Sequence, residues 1–214
     1  MSKRRPFRKY RRRKPQADGA MADANSDSQS KRPTGDSAPA PSKPQRSAAK
    51  LSLAQSAGSD WVLVHPRCAR QRREDLEEVE QMIAGGEQEI ARDELRWLLD
   101  ECHDFLAAHK ILGDLALAEG DYRLARGHYG YAYQLGIQAI DANGGAKRLS
   151  YAEPANQAFF QAGRGLLLCL TKLNKRGPAR DVTNRLLQFD AGDPLGLRRL
   201  SDSGCGQAKP SRRK

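Results

Sequence analysis

From residue 70 onward, apolar side chains recur at three- and four-residue spacing, the period of a helix with one buried face. Leu76, Val79 and Ile83 form the first stripe, and Gly85-Gly86 closes it, as glycine does at a helix C-terminus. Ile90, Ala91, Leu95, Leu98 and Leu99 form the next, with Trp97 beside them. Phe105, Leu106, Leu112, Leu115 and Ala116 form a third, ending at the turn Gly120-Asp121. Asp121 is suited to cap the helix that follows, which carries Tyr122, Ala125, Tyr129, Ala132 and Leu135. Asn143-Gly144-Gly145 and Pro154 break the pattern across 141–154. It resumes at Ala155 and runs through Phe159, Phe160, Leu166, Leu167 and Leu170 to Leu173. Asn174-Lys175-Arg176-Gly177 predicts a turn, and Pro178 suits the first turn of the next helix, which carries Val182, Leu186, Leu187 and Phe189. Asp193-Pro194 sets off a short last segment ending at Leu200. Ahead of the helices, Trp61-Val62-Leu63-Val64 is apolar and extended before Pro66. It is expected to pack on the first helices, as strand or as coil.

Residues 17–60 are dominated by Ala, Ser, Asp, Pro, Lys and Gln, with almost no large apolar side chain before Leu51. Such a stretch buries too little surface to offset the entropy of ordering it, so 1–60 reads as a disordered basic arm. Residues 61–204 suit one domain, and 205–214 form a short basic tail. The net charge of +11 is unevenly spread. Residues 1–16 carry nine Lys/Arg and no acid, and 205–214 carry four, whereas 61–204 hold nineteen basic against twenty-one acidic residues. The basic character therefore belongs to the ends, and inference toward a polyanionic partner applies to them. Met21 opens MADANSDSQS and is a plausible alternative start, which would remove the nine cations.

Spacing between helices carries a second signal. Gly120 lies thirty-four residues after Gly86, and Ala125 thirty-four after Ala91. The stretch LGDLALAEGDYRLARGHYGYA, residues 112–132, resembles a tetratricopeptide repeat, whose period is thirty-four. Leu112-Gly113, Ala125 and Tyr129 match the family pattern, with Tyr for Phe. His109 stands where Trp is common, Ala116 where Tyr is common, and Ile137 replaces the closing proline. Small residues at Gly113 and Ala125 let two backbones approach, Tyr129 fills the space beside them, and Gly120 permits the turn. An earlier unit keeps Gly86, Ala91, Leu95 and Leu98; a later one keeps Ala179 and places Leu166-Leu167 at the Leu-Gly positions, after a 20-residue excess absorbed around 141–156. The resemblance implies an all-α short α-solenoid of about three antiparallel helix pairs, one good and two degenerate, over about 73–192.

It also implies which surface binds. In the family the first helix of each pair lines a concave face. By offset from Gly113 the inward positions are Ala107, Lys110, Asp114 and Leu117 in the middle pair. In the first pair they are Arg73, Leu76, Glu80 and Ile83; in the third, Gln161, Arg164, Leu168, Thr171 and Lys172. The partner-binding candidates are Arg73, Lys110, Asp114, Gln161, Arg164 and Lys172. Their cations are either ordinary solvated charges or holders of a peptide's acidic groups through charge-assisted hydrogen bonds. Asp114 stands where the family's carboxylate clamp needs an asparagine, which argues against a faithful clamp.

Other chemistries lack their motifs. There is no GxSxG, no phosphate loop and no CxxC or HxxxH pair, so neither an enzyme nor a cofactor or metal is expected. Gly163-Arg164-Gly165 lies inside a helical pattern and reads as close helix packing, and His109 and His128 read as packed rings. Cys68, Cys102, Cys169 and Cys205 show no close pairing, and with no export signal they point to reduced thiols and a cytoplasmic location. No apolar run approaches the roughly 20 residues of a spanning helix. The function expected is a non-catalytic scaffold or adaptor holding a protein or peptide. The alternative is an RNA- or ribosome-associated factor anchored by its arm. There, Arg4, Arg5, Arg8, Arg11, Arg12 and Arg13 would neutralise phosphate and Tyr10 would stack on unpaired bases.

Overall fold

A computed structural model of the chain describes residues 50–56, 60–145 and 148–203. Eight helices appear among them: α1 Arg67–Gln71, α2 Arg73–Ala84, α3 Gln88–Glu101, α4 Leu106–Ala118, α5 Tyr122–Asp141, α6 Pro154–Lys172, α7 Arg176–Phe189 and α8 Leu197–Ser203. Two short strands, β1 Ser52–Gln55 and β2 Trp61–Val64, pair antiparallel ahead of them. The fold is mostly helical, and each expected stripe lies on a helix. Asp121 caps α5 as its position predicts, its side chain accepting from the Arg123 and Leu124 amides.

Three helical pairs, α2–α3, α4–α5 and α6–α7, share one turn. Gly86, Gly120 and Asn174 occupy it at equivalent positions, all with positive φ. In each, the amide of that residue bonds the carbonyl three back, and the next amide bonds the carbonyl five back from itself: Glu87 to Met82, Asp121 to Ala116, Lys175 to Leu170. This left-handed cap satisfies helix-end carbonyls that would otherwise be orphaned, and it favours Gly or Asn. Five residues on, Ala91, Ala125 and Ala179 are buried, and an arginine follows each one. That thrice-repeated Ala-Arg is a repeat signal beyond the glycines and alanines.

The pairs pack in sequence. α5 packs on α4, and α6 packs on both; α8 closes the far end against α6 and α7. The apolar interior divides into two clusters meeting at α4: Ala108, Ile111, Leu112 and Leu115 face α3, while Leu106 and Ala116 face the larger cluster of α5, α6 and α7. The closest approaches use glycine. A Cβ at Gly113 would stand 2.7 Å from the Tyr129 ring, and one at Gly165 2.4 Å from it. Gly163 meets Leu186 and Gly136 meets Phe159 in the same way. The Gly163-Arg164-Gly165 run is thus close packing, as its pattern predicts.

Three expectations need correction. The boundary at residue 60 is too late, because Leu51 and Leu53 are buried and β1 pairs with β2. The hairpin is held by Asn156, fully buried on α6, which accepts from the Leu63 amide at 2.9 Å and donates to the Trp61 carbonyl at 3.1 Å. A polar residue in this setting is tolerated because its bonds are made. Trp61–Val64 thus resolves to strand, and it packs on α6 rather than on the first helices, because Asn156 supplies its hydrogen bonds. Cys68 and Cys102 are joined in a disulfide, with Cα atoms 5.7 Å apart, rather than reduced. Cys68 sits on the short α1, which the chain folds back beside the end of α3, and that long-range meeting has no local signature. Cys169 is free and buried. Residues 205–214 lie outside the described residues.

Two stability tests follow from this packing. Gly165→Ala is expected to destabilise the domain by about 1–3 kcal/mol, because a methyl must displace a packed ring. Gly127→Ala, inside α5 with open space around it, is expected to stabilise by about 0.5–1 kcal/mol. Urea unfolding of the two variants reads the opposite signs; equal effects would contradict the packing. Separately, reducing the Cys68–Cys102 bond, or replacing both cysteines by serine, is expected to remove about 2–4 kcal/mol. Coincident unfolding curves with and without reductant would show that the thiols are not paired.

Candidate functional groove

Two clefts open along the helices that come first in each pair. One, of about 320 Å³, is lined by Lys110, Asp114 and Leu117 of α4, Gln161, Arg164 and Leu168 of α6, Tyr129 of α5, Tyr151 and Leu195. The other, of about 350 Å³, is lined by Glu80 and Ile83 of α2, Gln88 of α3, and Lys110, Asp114 and Ile111 of α4. Lys110 and Asp114 belong to both, so the clefts adjoin across α4 and share one wall.

The shared wall is electrostatically settled. Lys110 Nζ lies 2.7 Å from Asp114 Oδ2, an i,i+4 pair on one helix face. The Tyr129 hydroxyl donates to Asp114 Oδ1 at 2.6 Å. Burial and that carboxylate push the phenol far above its ordinary value, so it remains a neutral donor. Asp114 is therefore balanced by Lys110 and held in place by the Tyr129 hydroxyl. Arg164 differs: it is exposed, and its guanidinium has no ion pair or hydrogen bond among the described residues. The unpaired charge of the α6 cleft is thus positive, whereas the α2 cleft carries Glu80, exposed and without an ion pair among the described residues. Gln161 is oriented by the Tyr151 hydroxyl, which accepts from its Nε2 at 3.3 Å. Leu117, Leu168 and Leu195 add apolar surface.

Of the residues expected to bind a partner, Lys110, Asp114, Gln161 and Arg164 come together here. Arg73 lines neither cleft; it is exposed and pairs with Glu77 along its own helix at 3.1 Å. Lys172 also lines neither, standing exposed at the C-terminal end of α6. Arg4, Arg5, Arg8, Tyr10, Arg11, Arg12 and Arg13 lie outside the described residues. Tyr129, Tyr151 and Leu195 belong to the groove but carry no such signal in sequence. Tyr129 reads as packing, which its ring does, and only the fold shows its hydroxyl emerging at the groove. Tyr151 and Leu195 arrive from irregular segments whose placement periodicity does not describe.

Away from the groove, His109 and His128 pack as their positions predict. The His109 ring lies 4.5 Å from Tyr131 and 6.4 Å from His128, and its Nε2 lies 3.0 Å from the His103 carbonyl oxygen. Its Nδ1 is buried without a partner. Among the described residues no three His, Cys, Asp or Glu side chains converge as ligands for a metal ion, and no helix is long and apolar enough to cross a membrane. No family model matches the chain, and neither a curated protein nor a solved structure matches it.

Burial lowers the pKa of His109 and of His128, with Arg96 adding to the effect on His128. The folded chain therefore binds fewer protons at these rings than the unfolded chain. Their stabilisation is complete above the unfolded value of about 6.5 and is lost as pH falls below it. Unfolding midpoints taken between about pH 7.5 and 5 are expected to drop less in His109→Gln/His128→Gln than in the parent. Parallel curves would show that these rings do not titrate with folding.

Proposed function

We propose that the chain is a non-catalytic scaffold of three stacked, tetratricopeptide-like helical pairs that holds an extended segment of a protein partner in the groove of α2, α4 and α6. The observation that carries this reading is the adjoining of the two clefts at Lys110 and Asp114. A run of first helices thereby offers one continuous surface rather than separate pockets. The identical turns, the core divided at α4 and the packing of α6 on both members of the preceding pair support the stacked arrangement. Leu117, Leu168 and Leu195 would take apolar side chains of the segment, Gln161 would meet its backbone amides or carbonyls, and Arg164 would meet an acidic group. An arm-anchored role with RNA is the second reading, and the unpaired cations on another edge of the domain, described below, favour it.

A displayed random-peptide library tests the groove directly. The parent protein is expected to enrich a family of acidic peptides with apolar residues, and Arg164→Glu/Leu168→Ala is expected to lose at least tenfold in affinity for them. Arg164 is exposed and unpaired, so matching circular dichroism melts will separate lost binding from lost fold. Enrichment that survives in the folded double variant removes this face from consideration.

A further inference from the structure

The three pairs share a turn but not a charge. In the first pair, Arg92 forms ion pairs with Glu89 on its own helix and with Glu119 beyond the end of α4. Thirty-four residues on, Arg126 stands for Arg92 and Arg123 stands for Glu89. The counterpart of Glu119, at the end of α6, is Leu173. Both carboxylates of the first junction are gone from the second, and one has become a cation. Neither Arg123 nor Arg126 has a side-chain ion pair or hydrogen bond among the described residues.

The geometry adds four more cations to these two. Gly130, Tyr129 and Gly136 of α5 face Leu166, Gly165 and Phe159 of α6, so the helices run antiparallel and the start of α5 lies beside the end of α6. Arg126 is accordingly close enough to Cys169 for its charge to be felt at the thiol. Lys172 stands at the end of α6, Lys175 at the cap of α7, and Arg176 and Arg180 in its first turns. None of the four has a side-chain ion pair or hydrogen bond among the described residues. From Pro154 to Arg180 the chain holds five Lys/Arg and no Asp or Glu. Nearby acids are Asp121, whose carboxylate is engaged in capping α5, and the exposed Asp181. Arg123, Lys175 and Arg176 also sit at the positive ends of helices, where cations are disfavoured. Lys175 supplies no side-chain cap to α7.

We propose that this edge, formed by Arg123, Arg126, Lys172, Lys175, Arg176 and Arg180, binds the phosphate backbone of single-stranded nucleic acid. The site is separate from the groove and does not depend on it. A strand is favoured over a flat anionic surface by the charge of the rest of the domain. Residues 73–104 carry twelve acidic side chains against three arginines, so a planar bilayer would meet repulsion there. A strand can follow the cationic edge alone. Leu124, half exposed between Arg123 and Arg126, offers an apolar surface to an unpaired base.

Fluorescence anisotropy of a labelled single-stranded RNA, titrated with the full-length chain over about 50–200 mM salt, tests the edge. Substituting Arg126→Gln/Arg176→Gln/Arg180→Gln is expected to weaken binding at least tenfold. The slope of log affinity against log salt should become shallower by about 2, since each lost contact to a single strand removes about 0.7. A second variant, Arg11→Gln/Arg12→Gln/Arg13→Gln, reports the arm separately. Loss in the arm variant alone, with slope and affinity unchanged in the edge variant, overturns the proposal. So does edge-dependent binding to phosphatidylserine vesicles without edge-dependent binding to RNA. Peptide enrichment by the groove is expected to survive in the edge variant, so failure of one site does not imply failure of the other.

Discussion

The wedging of Tyr129 between two glycines is the constraint from which the rest of the domain takes its spacing. Its ring lies over Gly113 on α4 and Gly165 on α6, so a side chain at either position would push a helix away. The same residue sends its hydroxyl past the packed ring to Asp114. Packing and polarity are thus joined in one side chain: the ring sets how closely α4 and α6 approach, and the hydroxyl fixes a carboxylate on the wall between them. The width of the groove and the placing of Asp114 on its wall have one origin.

The domain's two flanks are fastened by chemistry of another kind. On the α6 side, Asn156 replaces strand partners that the hairpin would otherwise lack, and the Leu149 amide bonds the Phe189 carbonyl to bring the 148–151 segment along. On the α3 side, the disulfide holds α1, while the Arg72 guanidinium lies 4.6 Å from the Trp97 ring centre and pairs with Asp75 and Glu101. Neither flank has a large apolar interior of its own. Small terminal elements bury little surface, and a covalent or fully satisfied polar tie compensates.

Charge divides the domain more sharply than its near-neutral total suggests. The first helical pair is acidic, and the acid-free run through α6 into α7 is basic. Because α4 packs on α3 and α6 packs on α4 and α5, a difference along the sequence becomes a difference along the domain. In the groove, Lys110 offsets Asp114, which leaves Arg164 in the α6 cleft and Glu80 in the α2 cleft as the open charges. On the turn edge, Arg123 in place of Glu89 and Leu173 in place of Glu119 turn a junction of one arginine and two carboxylates into one of two arginines. The exposed positions of the helical pairs differ in this way while Ala91, Ala125 and Ala179 stay buried.

Local signals determined much of this in advance. The stripes placed the helices, Gly86, Gly120 and Asn174 marked their turns, and position within each helical pair, counted from Gly113 with the 20-residue excess before the third pair, pointed Lys110, Asp114, Gln161 and Arg164 to one face, because these properties depend on neighbours within a few residues or on a shared helical phase. Arg73 and Lys172 obeyed the same offset, yet they stand outside the clefts, since an offset gives the direction of a side chain and not what covers or pairs with it. Tertiary structure alone decided the hairpin, the disulfide, and the entry of Tyr151 and Leu195 into the groove. Each joins residues dozens of positions apart (Leu63 to Asn156, Cys68 to Cys102). Such contacts are set by how finished helices pack, and no short window of sequence encodes that outcome.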